Sequence, residues 1–466
     1  MVEPQVDEKP VAPEGEEESV GLSEEVVESV RDALGVGDIA RAEDLVQPLH
    51  PADMADLLES LTPEERELLL KIHRAHLEAE VVSYLDTGLR GEVCRILGAK
   101  KVAQILNQLD SDDALEIFED LPEDLEQKIL SRVPATIRRL LQDGLTFPED
   151  SAGRLMQREI VVVPQIWTVG ETIDYMRSQK RKLPHDFYDL YVVDPRYKPV
   201  GKVPLSRVLR NKRPVKILDV MDSEFYPVPV SMDQEEVAYL FRQYSIVSTP
   251  VTDDAGRLVG VVTVDDVVHV IDEEAEEDIL KLAGVAETSS IYDDVLQTTR
   301  ARFIWLLVNL GTAVLASLVI GLFGATIEQQ VALAILMPIV ASMGGNAGTQ
   351  TLTVAVRALA MKDLTGAAAS RFVSKELLVG LANGLLFAVI TGGVTVFWFG
   401  EPLLGVVIAI AMVVNMLVAG LAGTLIPLGL EKIGVDPAIA SSVFLTTVTD
   451  VIGFFAFLGL AALILL

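Results

Sequence analysis

The chain changes character near residue 300, where alternating apolar and charged positions give way to long apolar stretches. Residues 303–324 contain no charge and have the length, about 20 residues, that spans a bilayer. Comparable stretches follow at 329–356, 377–399, 403–430 and 437–466, so the pattern predicts five spans. One such stretch is compatible with a buried soluble helix; five in series are not. Three spans carry residues that disturb helices. They are Pro338 with Gly344-Gly345-Asn346 in the second, Asn415 and Pro427 in the fourth, and Ser441, Ser442, Thr446, Thr447, Thr449 and Asp450 in the fifth. Irregular interiors are expected there, since non-helical backbone at membrane depth persists only where protein buries it or water reaches it. Serine and threonine by themselves more often serve as packing contacts between helices.

Earlier in the chain the period is shorter. Residues 24–145 read as short amphipathic helices, for example Met54–Leu61, Pro63–Ile72, Val102–Leu109 and Asp112–Leu121. Apolar positions three and four apart, such as Ala114, Leu115, Ile117, Phe118 and Leu121, set the buried face. Breaks are expected at Pro51, Pro63, Gly88, Gly98, Pro122 and Pro134, and the succession suggests a small superhelical array. Residues 154–275 instead contain an internal repeat. Leu155-Met156 then Val161-Val162-Val163-Pro164 answers Val220-Met221 then Tyr226-Pro227-Val228-Pro229. Tyr191-Val192-Val193-Asp194 answers Pro250-Val251-Thr252-Asp253, with Gly256 suiting the second hairpin. Each copy reads strand, helix, strand, turn, strand, helix, and the two together resemble a tandem CBS pair. CBS modules often bind adenine nucleotides. Gly260, Thr263 and Asp266 resemble the ribose-binding pattern, so ATP is a candidate ligand, while a helix cap is an equal reading of Thr263. Pro204 and Arg207 stand at the matching places of the first copy.

Charge sharpens the division. The chain has a net charge of −30, and residues 301–466 hold only six Lys/Arg against seven Asp/Glu, which leaves −29 on the first 300 residues. Such a balance argues against a nucleic-acid partner, which needs clustered Lys and Arg. It suits cations, or a generally acidic, soluble proteome. The single cysteine, Cys94, lies among apolar residues and is expected to be buried; it excludes an internal disulfide or a cysteine metal site. Residues 1–20 hold Pro4, Pro10, Pro13 and Glu16-Glu17-Glu18 and no apolar core of a signal peptide, and read as a disordered tail. Arg300, Arg302, Arg357, Lys362, Arg371, Lys375 and Lys432 all fall on the side of the bilayer that holds residues 1–300. That side is expected to be the cytoplasm, with the C-terminus outside.

Asp450 is the one ionisable residue placed well inside a predicted span. A mid-bilayer carboxylate costs about 2.5–3.5 kcal/mol on insertion scales and so marks an ion pathway. The bland reading is an interhelical hydrogen bond to Asn346 or Asn415. No His, Cys or Met cluster accompanies Asp450, which favours a hard cation over soft metals. Mg2+ binds through one or two carboxylates and keeps its water, which one Asp from each of two chains would satisfy; Na+ and H+ remain open on this argument. Two further acidic runs lie in the soluble part. One holds Asp110, Asp112, Asp113, Glu116, Glu119 and Asp120; the other runs from Asp265 to Asp278 with Glu273, Glu274, Glu276 and Glu277. Like charges four apart on a helix repel by about 0.2–0.5 kcal/mol per pair, a cost that divalent cations bridging Asp110 and Asp113 to the second run would relieve. A solvated acidic face is the alternative.

The whole arrangement resembles the MgtE family of Mg2+ channels over residues 24–466. The most specific pieces are Pro338 with Gly344-Gly345-Asn346-Ala347-Gly348-Thr349-Gln350, and Asp436-Pro437 through Thr447-Val448-Thr449-Asp450 with Gly453. The resemblance implies a multidomain membrane protein: a superhelical α-helical N-domain, an α/β tandem CBS pair, a connecting helix and a five-helix transmembrane domain. The boundaries expected are 1–22 for the tail, 23–150 for the helical domain, 151–217 and 218–277 for the CBS copies, 278–301 for the connecting helix and 302–466 for the membrane domain. It further implies a homodimer with a pore on its axis, lined by the second and fifth spans, in which Asp450, helped by the Thr446 backbone, holds hydrated Mg2+. Glu235, Glu274, Glu277, Asp278 and Asp436 match sensor positions, at which cytosolic Mg2+ would hold the channel closed. Ser245 and His269 depart from that pattern, standing where an acidic ligand is usual. A same-family channel for Co2+, Ni2+ or Mn2+ and a non-conducting, membrane-anchored Mg2+ sensor are the alternatives. No nucleophile triad or phosphate loop appears and Asp450 has no second membrane acid, so no enzyme is expected.

Overall fold

The computed structural model describes residues 21–179, 183–184, 187–285, 291–292 and 295–465. The expected tail, residues 1–22, lies almost wholly outside them. The chain forms two compact units. One comprises residues up to Val237 with Tyr244–Asp266, the other Ala238–Gln243 with Val267–Leu466.

The first unit begins with eight helices, α1 (Glu24–Val36), α2 (Ile39–Val46), α3 (Pro51–Ser60), α4 (Pro63–His73), α5 (Thr87–Ile105), α6 (Ser111–Glu119), α7 (Glu123–Leu130) and α8 (Ala135–Gly144). The prolines read as breaks are starts. Pro51 and Pro63 occupy the first helical turn, where no N–H is needed, and Pro122 and Pro134 are N-caps. Thr62 and Glu65 form a reciprocal capping box around Pro63. α5 is kinked at Gly98. The buried faces share one core that includes Leu57, Leu58, Leu69, Leu97, Ile117, Phe118 and Cys94. Each such buried aliphatic side chain contributes about 1.5–3 kcal/mol. Burial pushes the Cys94 thiol up to about 12, so it is inert at neutral pH, as its apolar neighbours imply.

After the short α9 (Ala152–Leu155), the repeat follows. Its first copy is β1 (Val162–Pro164), α10 (Val169–Ser178), β2 (Asp189–Val193), β3 (Pro199–Pro204) and α11 (Leu205–Arg210). Its second is β4 (Val228–Pro229), α12 (Gln234–Tyr244), β5 (Ser248–Thr252), β6 (Leu258–Thr263) and α13 (Val264–Leu282). Both sheets have the order parallel then antiparallel, with the same irregularity in register, at Val192/Val193 and at Val251/Thr252. Asp194 and Asp253 each accept two backbone N–H groups in the intervening hairpin, and Tyr197 and Gly256 take the same left-handed conformation there. The copies are also crossed. Gln157, before the first copy, exchanges hydrogen bonds with Val261 of the second, and Asp222 exchanges them with Lys202 of the first. This close approach requires glycine: a Cβ on Gly260 would lie 2.6 Å from Met156 Sδ, and one on Gly201 would lie 2.8 Å from Met221 Sδ. Between the copies, Tyr191 donates to Ser248 at 2.6 Å and Ser248 to Asp189 at 2.8 Å, which also pairs with Lys202 at 2.7 Å.

The second unit holds the remaining helices, α14 (Val295–Leu322), α15 (Gly324–Gln329), α16 (Ala332–Ala360), α17 (Ala367–Phe399), α18 (Pro402–Lys432) and α19 (Pro437–Ile464). Five of them are long and apolar enough to cross a membrane, which makes this a multi-pass membrane protein. α18 is the most buried, packing against α16, α17 and α19, whereas α14 leaves most of its apolar surface exposed. The helices outrun the apolar stretches at the ends that carry Arg300, Arg357, Arg371 and Lys432. Backbone hydrogen bonds continue into the basic flank, where hydropathy stops marking them.

Two expectations are corrected. The second, fourth and fifth spans are continuous helices over Pro338, Pro427 and the Ser/Thr run. The small residues there serve packing: a Cβ on Gly344 would collide with Asn415, as would one on Gly453. Nor does one uninterrupted helix join the soluble part to the first span. Gly284, with φ 71°, ends α13 in a Schellman cap, in which Val285 N–H donates to Leu280 O at 2.9 Å and Gly284 N–H to Lys281 O at 3.0 Å. Helix resumes at Val295, and residues 286–290 and 293–294 lie outside the described residues.

Candidate cation sites

Asp450 projects from the middle of α19 and is half-buried. Among the described residues it makes no hydrogen bond or ion pair, and the two asparagines considered as partners are engaged elsewhere. Asn415 donates to Val340 O at 2.7 Å, and Asn346 Nδ2 lies 3.4 Å from Ser342 Oγ. Thr446, Thr447 and Thr449 turn their hydroxyls onto carbonyls of the preceding turn, and Thr449 takes the Thr446 carbonyl at 3.1 Å. They satisfy themselves and leave the carboxylate without a hydroxyl partner among the described residues. One acid was missed. Glu376, read as flanking the third span, lies inside α17, 9% exposed, and accepts from Thr351 at 3.1 Å. The change in helix boundary moved it inside.

A second site in this unit lies on α13. Glu274, Glu277, Asp278 and Lys281, three or four apart, are half-buried on one face, while Asp272, Glu273 and Glu276 are exposed. Asp436 caps the N-terminus of α19, accepting from Ala438 N–H at 2.8 Å through one oxygen and from Lys281 at 2.7 Å through the other. Lys281 also pairs with Glu277. Burial, then Asp436 and Glu274, push the Asp278 carboxyl up to about 6. Lys281 had not been singled out in the sequence, although its spacing from Glu277 is the ordinary one for a helical ion pair.

The first unit holds a different cluster. Asp112 is 8% exposed on α6; among the described residues no N–H or hydroxyl donates to its carboxylate, which lies instead within hydrogen-bond reach of the Asp266 carboxyl. Burial, then Asp266 and Asp113, raise its pKa well above the carboxylate range. Burial, then Glu116, Asp266 and Asp110, push Asp113 up to about 7. Asp266 is pushed up to about 6 by burial, against the hydrogen bond it takes from Thr263 at 2.6 Å. The remaining acids of α6 are neutralised: Arg90 donates to Glu116 at 2.5 Å and to Asp120 at 2.9 Å, and Arg154 pairs with Glu119. One buried and two half-buried carboxylates, with no ammonium or guanidinium bonded to them among the described residues, suit a hard divalent cation. Asp110 is the exposed N-cap residue of α6. Glu235 is half-buried in the first turn of α12. Asp112 was legible only as one of a run; its place on the face of Leu115 and Phe118 was the available signal.

Residues 337–460 match a family described as divalent cation transporter, MgtE. Residues 49–150 match the MgtE intracellular N domain, and residues 217–273 a CBS domain. The magnesium transporter MgtE of Bacillus subtilis is 29% identical over 425 residues, covering 91% of this chain and 94% of that protein. Among solved structures, the cytosolic domain of the Mg2+ channel MgtE in complex with ATP aligns at 30% identity and a TM-score of 0.49, covering 52% of this chain and 99% of that one. The magnesium transporter MgtE of Thermus thermophilus is 32% identical over 449 residues, covering 95% of this chain and 99% of that protein. The chain therefore belongs to the MgtE family.

Proposed function

We propose that this protein is a homodimeric Mg2+ channel that admits Mg2+ to the cytoplasm past Asp450 and closes when cytosolic Mg2+ occupies its carboxylate clusters. The observation that carries the first part is an ionisable side chain within a span with no protein partner. Such a charge is retained at a cost, and a hydrated cation is the partner of the right sign and hardness. The relatives in Thermus and Bacillus are magnesium transporters, which supports Mg2+ as the ion. Closure by Mg2+ is supported by the clusters around Asp112 and Asp278, where burial and neighbouring carboxylates raise the affinity of both residues for protons and would favour a divalent cation in their place. The proposed division keeps the tail at 1–22, the helical domain at 23–150, the CBS copies at 151–217 and 218–277, the connecting segment at 278–301 and the membrane domain at 302–466. The basic flanks support a cytoplasmic N-terminus. ATP at Thr263 and Asp266 would have to compete with the hydrogen bond between them.

The test is Mg2+ flux into proteoliposomes, wild type against Asp450→Asn, at low and high Mg2+ on the cytosolic face. Flux that needs Asp450 and falls as cytosolic Mg2+ rises is expected. Unchanged flux in Asp450→Asn removes that residue from the pathway. No flux from folded wild type leaves the non-conducting sensor.

A further inference from the structure

A further group of ligating side chains lies in the helical domain of the first unit. α4 ends at His73, and the chain makes one further turn in which His76 and Leu77 N–H donate to His73 O at 2.9 and 3.0 Å. Helical spacing is thereby kept, and the two imidazoles stand on the same side with ring centres 5.8 Å apart. α2 packs against α4 and brings Glu43, whose Oε1 lies 3.2 Å from His76 Nδ1. One ligand atom from each of Glu43, His73 and His76 lies within 4.8 Å of the others. His73 is 7% exposed and its Nδ1 has no hydrogen-bond partner, so a buried polar ring is left with bonding capacity unspent.

We propose that Glu43, His73 and His76 form a three-ligand site for a borderline-soft divalent cation, Zn2+, Co2+ or Ni2+, in the N-terminal helical domain. Two imidazoles and one carboxylate are a donor set that such ions take, with a fourth position left to water. Mg2+ prefers oxygen and keeps its hydration, so the site and the carboxylate clusters divide divalent ions by hardness. The C-terminal end of α4, with its partial negative charge, faces the same place. The nearby cation, Lys101, is spent on Leu77 O at 2.9 Å. A bound ion would tie α2 to the end of α4.

The experiment is a Co2+ titration of the full-length protein held in excess Mg2+, read by visible absorption. One equivalent per chain is expected, displaced by Zn2+ and not by further Mg2+. His76→Ala, at an exposed position, and Glu43→Gln each remove a ligand and should weaken binding by more than the about 10- to 100-fold lost when only an outer-shell partner of a ligand is removed. Equal Co2+ binding in wild type and His76→Ala would falsify the site, as would displacement by Mg2+.

Discussion

In the first unit Asp112, Asp113 and Asp266 crowd together with no basic side chain among the described residues bonded to any of them, whereas in the second Lys281 reaches between Glu277 and Asp436. Both clusters bring carboxylates together at positions only partly open to water. One carries its own counter-ion on a flexible stem; on the proposed reading the other depends on protons or on an ion from solution. A tethered ammonium is always present and supplies a single charge. A divalent ion supplies two, but only while its concentration lasts. The cluster without a lysine is therefore the one whose stability should follow the free cation, and the cluster with Lys281 should respond less steeply.

The comparison can be broken most directly by removing charge from the unpaired cluster. Asp112→Asn with Asp266→Asn should raise the melting temperature in chelator by several degrees, because it removes the mutual repulsion of crowded, poorly solvated carboxylates. It should also remove most of the melting shift produced by Mg2+. Unchanged responses would mean that these acids bind no ion. The next largest effect is expected from Lys281→Met. With the internal cation gone, Glu277, Asp278 and Asp436 should make the protein less stable in chelator and more responsive to Mg2+. A midpoint for Mg2+ stabilisation lowered by about tenfold corresponds to 1.4 kcal/mol. A midpoint that does not move would show that the lysine and the divalent ion do not compete.

Protons offer a third test. The pKa of Asp113 is raised to about 7 and those of Asp266 and Asp278 to about 6, all above the unfolded value of 3.8. Between these limits the folded state binds more protons than the unfolded state, so stability falls as pH rises. In chelator the melting temperature should decline from about pH 4 to about pH 7 through this contribution and then level off. Saturating Mg2+ should flatten the decline, since it favours the ionised form. A melting temperature that rises with pH over that window, with other groups held by the Asp112/Asp266 variant as reference, would contradict the assignment. The smallest effect belongs to the exposed side of α13. Glu273→Gln with Glu276→Gln should change stability by less than about 0.5 kcal/mol and leave the Mg2+ response as it is. A large loss of response there would mean that general acidity, rather than the half-buried face, senses the ion.

Much of this molecule can be read from its sequence, because the signals are local. Uninterrupted apolar length marks the five spans, three-and-four spacing marks α3 to α6, and the duplicated valine-rich segments mark two copies of one α/β unit. Asp450 stands out for the same reason, as a charge in a run that has no other. What the sequence could not settle are quantities that depend on a neighbour far along the chain. Pro338 and Gly344-Gly345 read as a break, but the α16 helix passes through because Asn415 and the adjoining helices fill the space that the glycines leave. Gly260 reads as part of a nucleotide pattern, yet the crossing of Met156 onto β6 already requires it. Asp112 is one acid among six in its run. Only packing decides that Arg90 and Arg154 neutralise the later ones and that Asp266, more than 150 positions away, faces the first. Glu43, His73 and His76 have no spacing that announces them, since α2 is brought to α4 by the apolar core. Period and composition are properties of a segment and survive in the sequence; charge compensation and ligand geometry are properties of a fold, in which low dielectric and fixed distance give each pairing its strength.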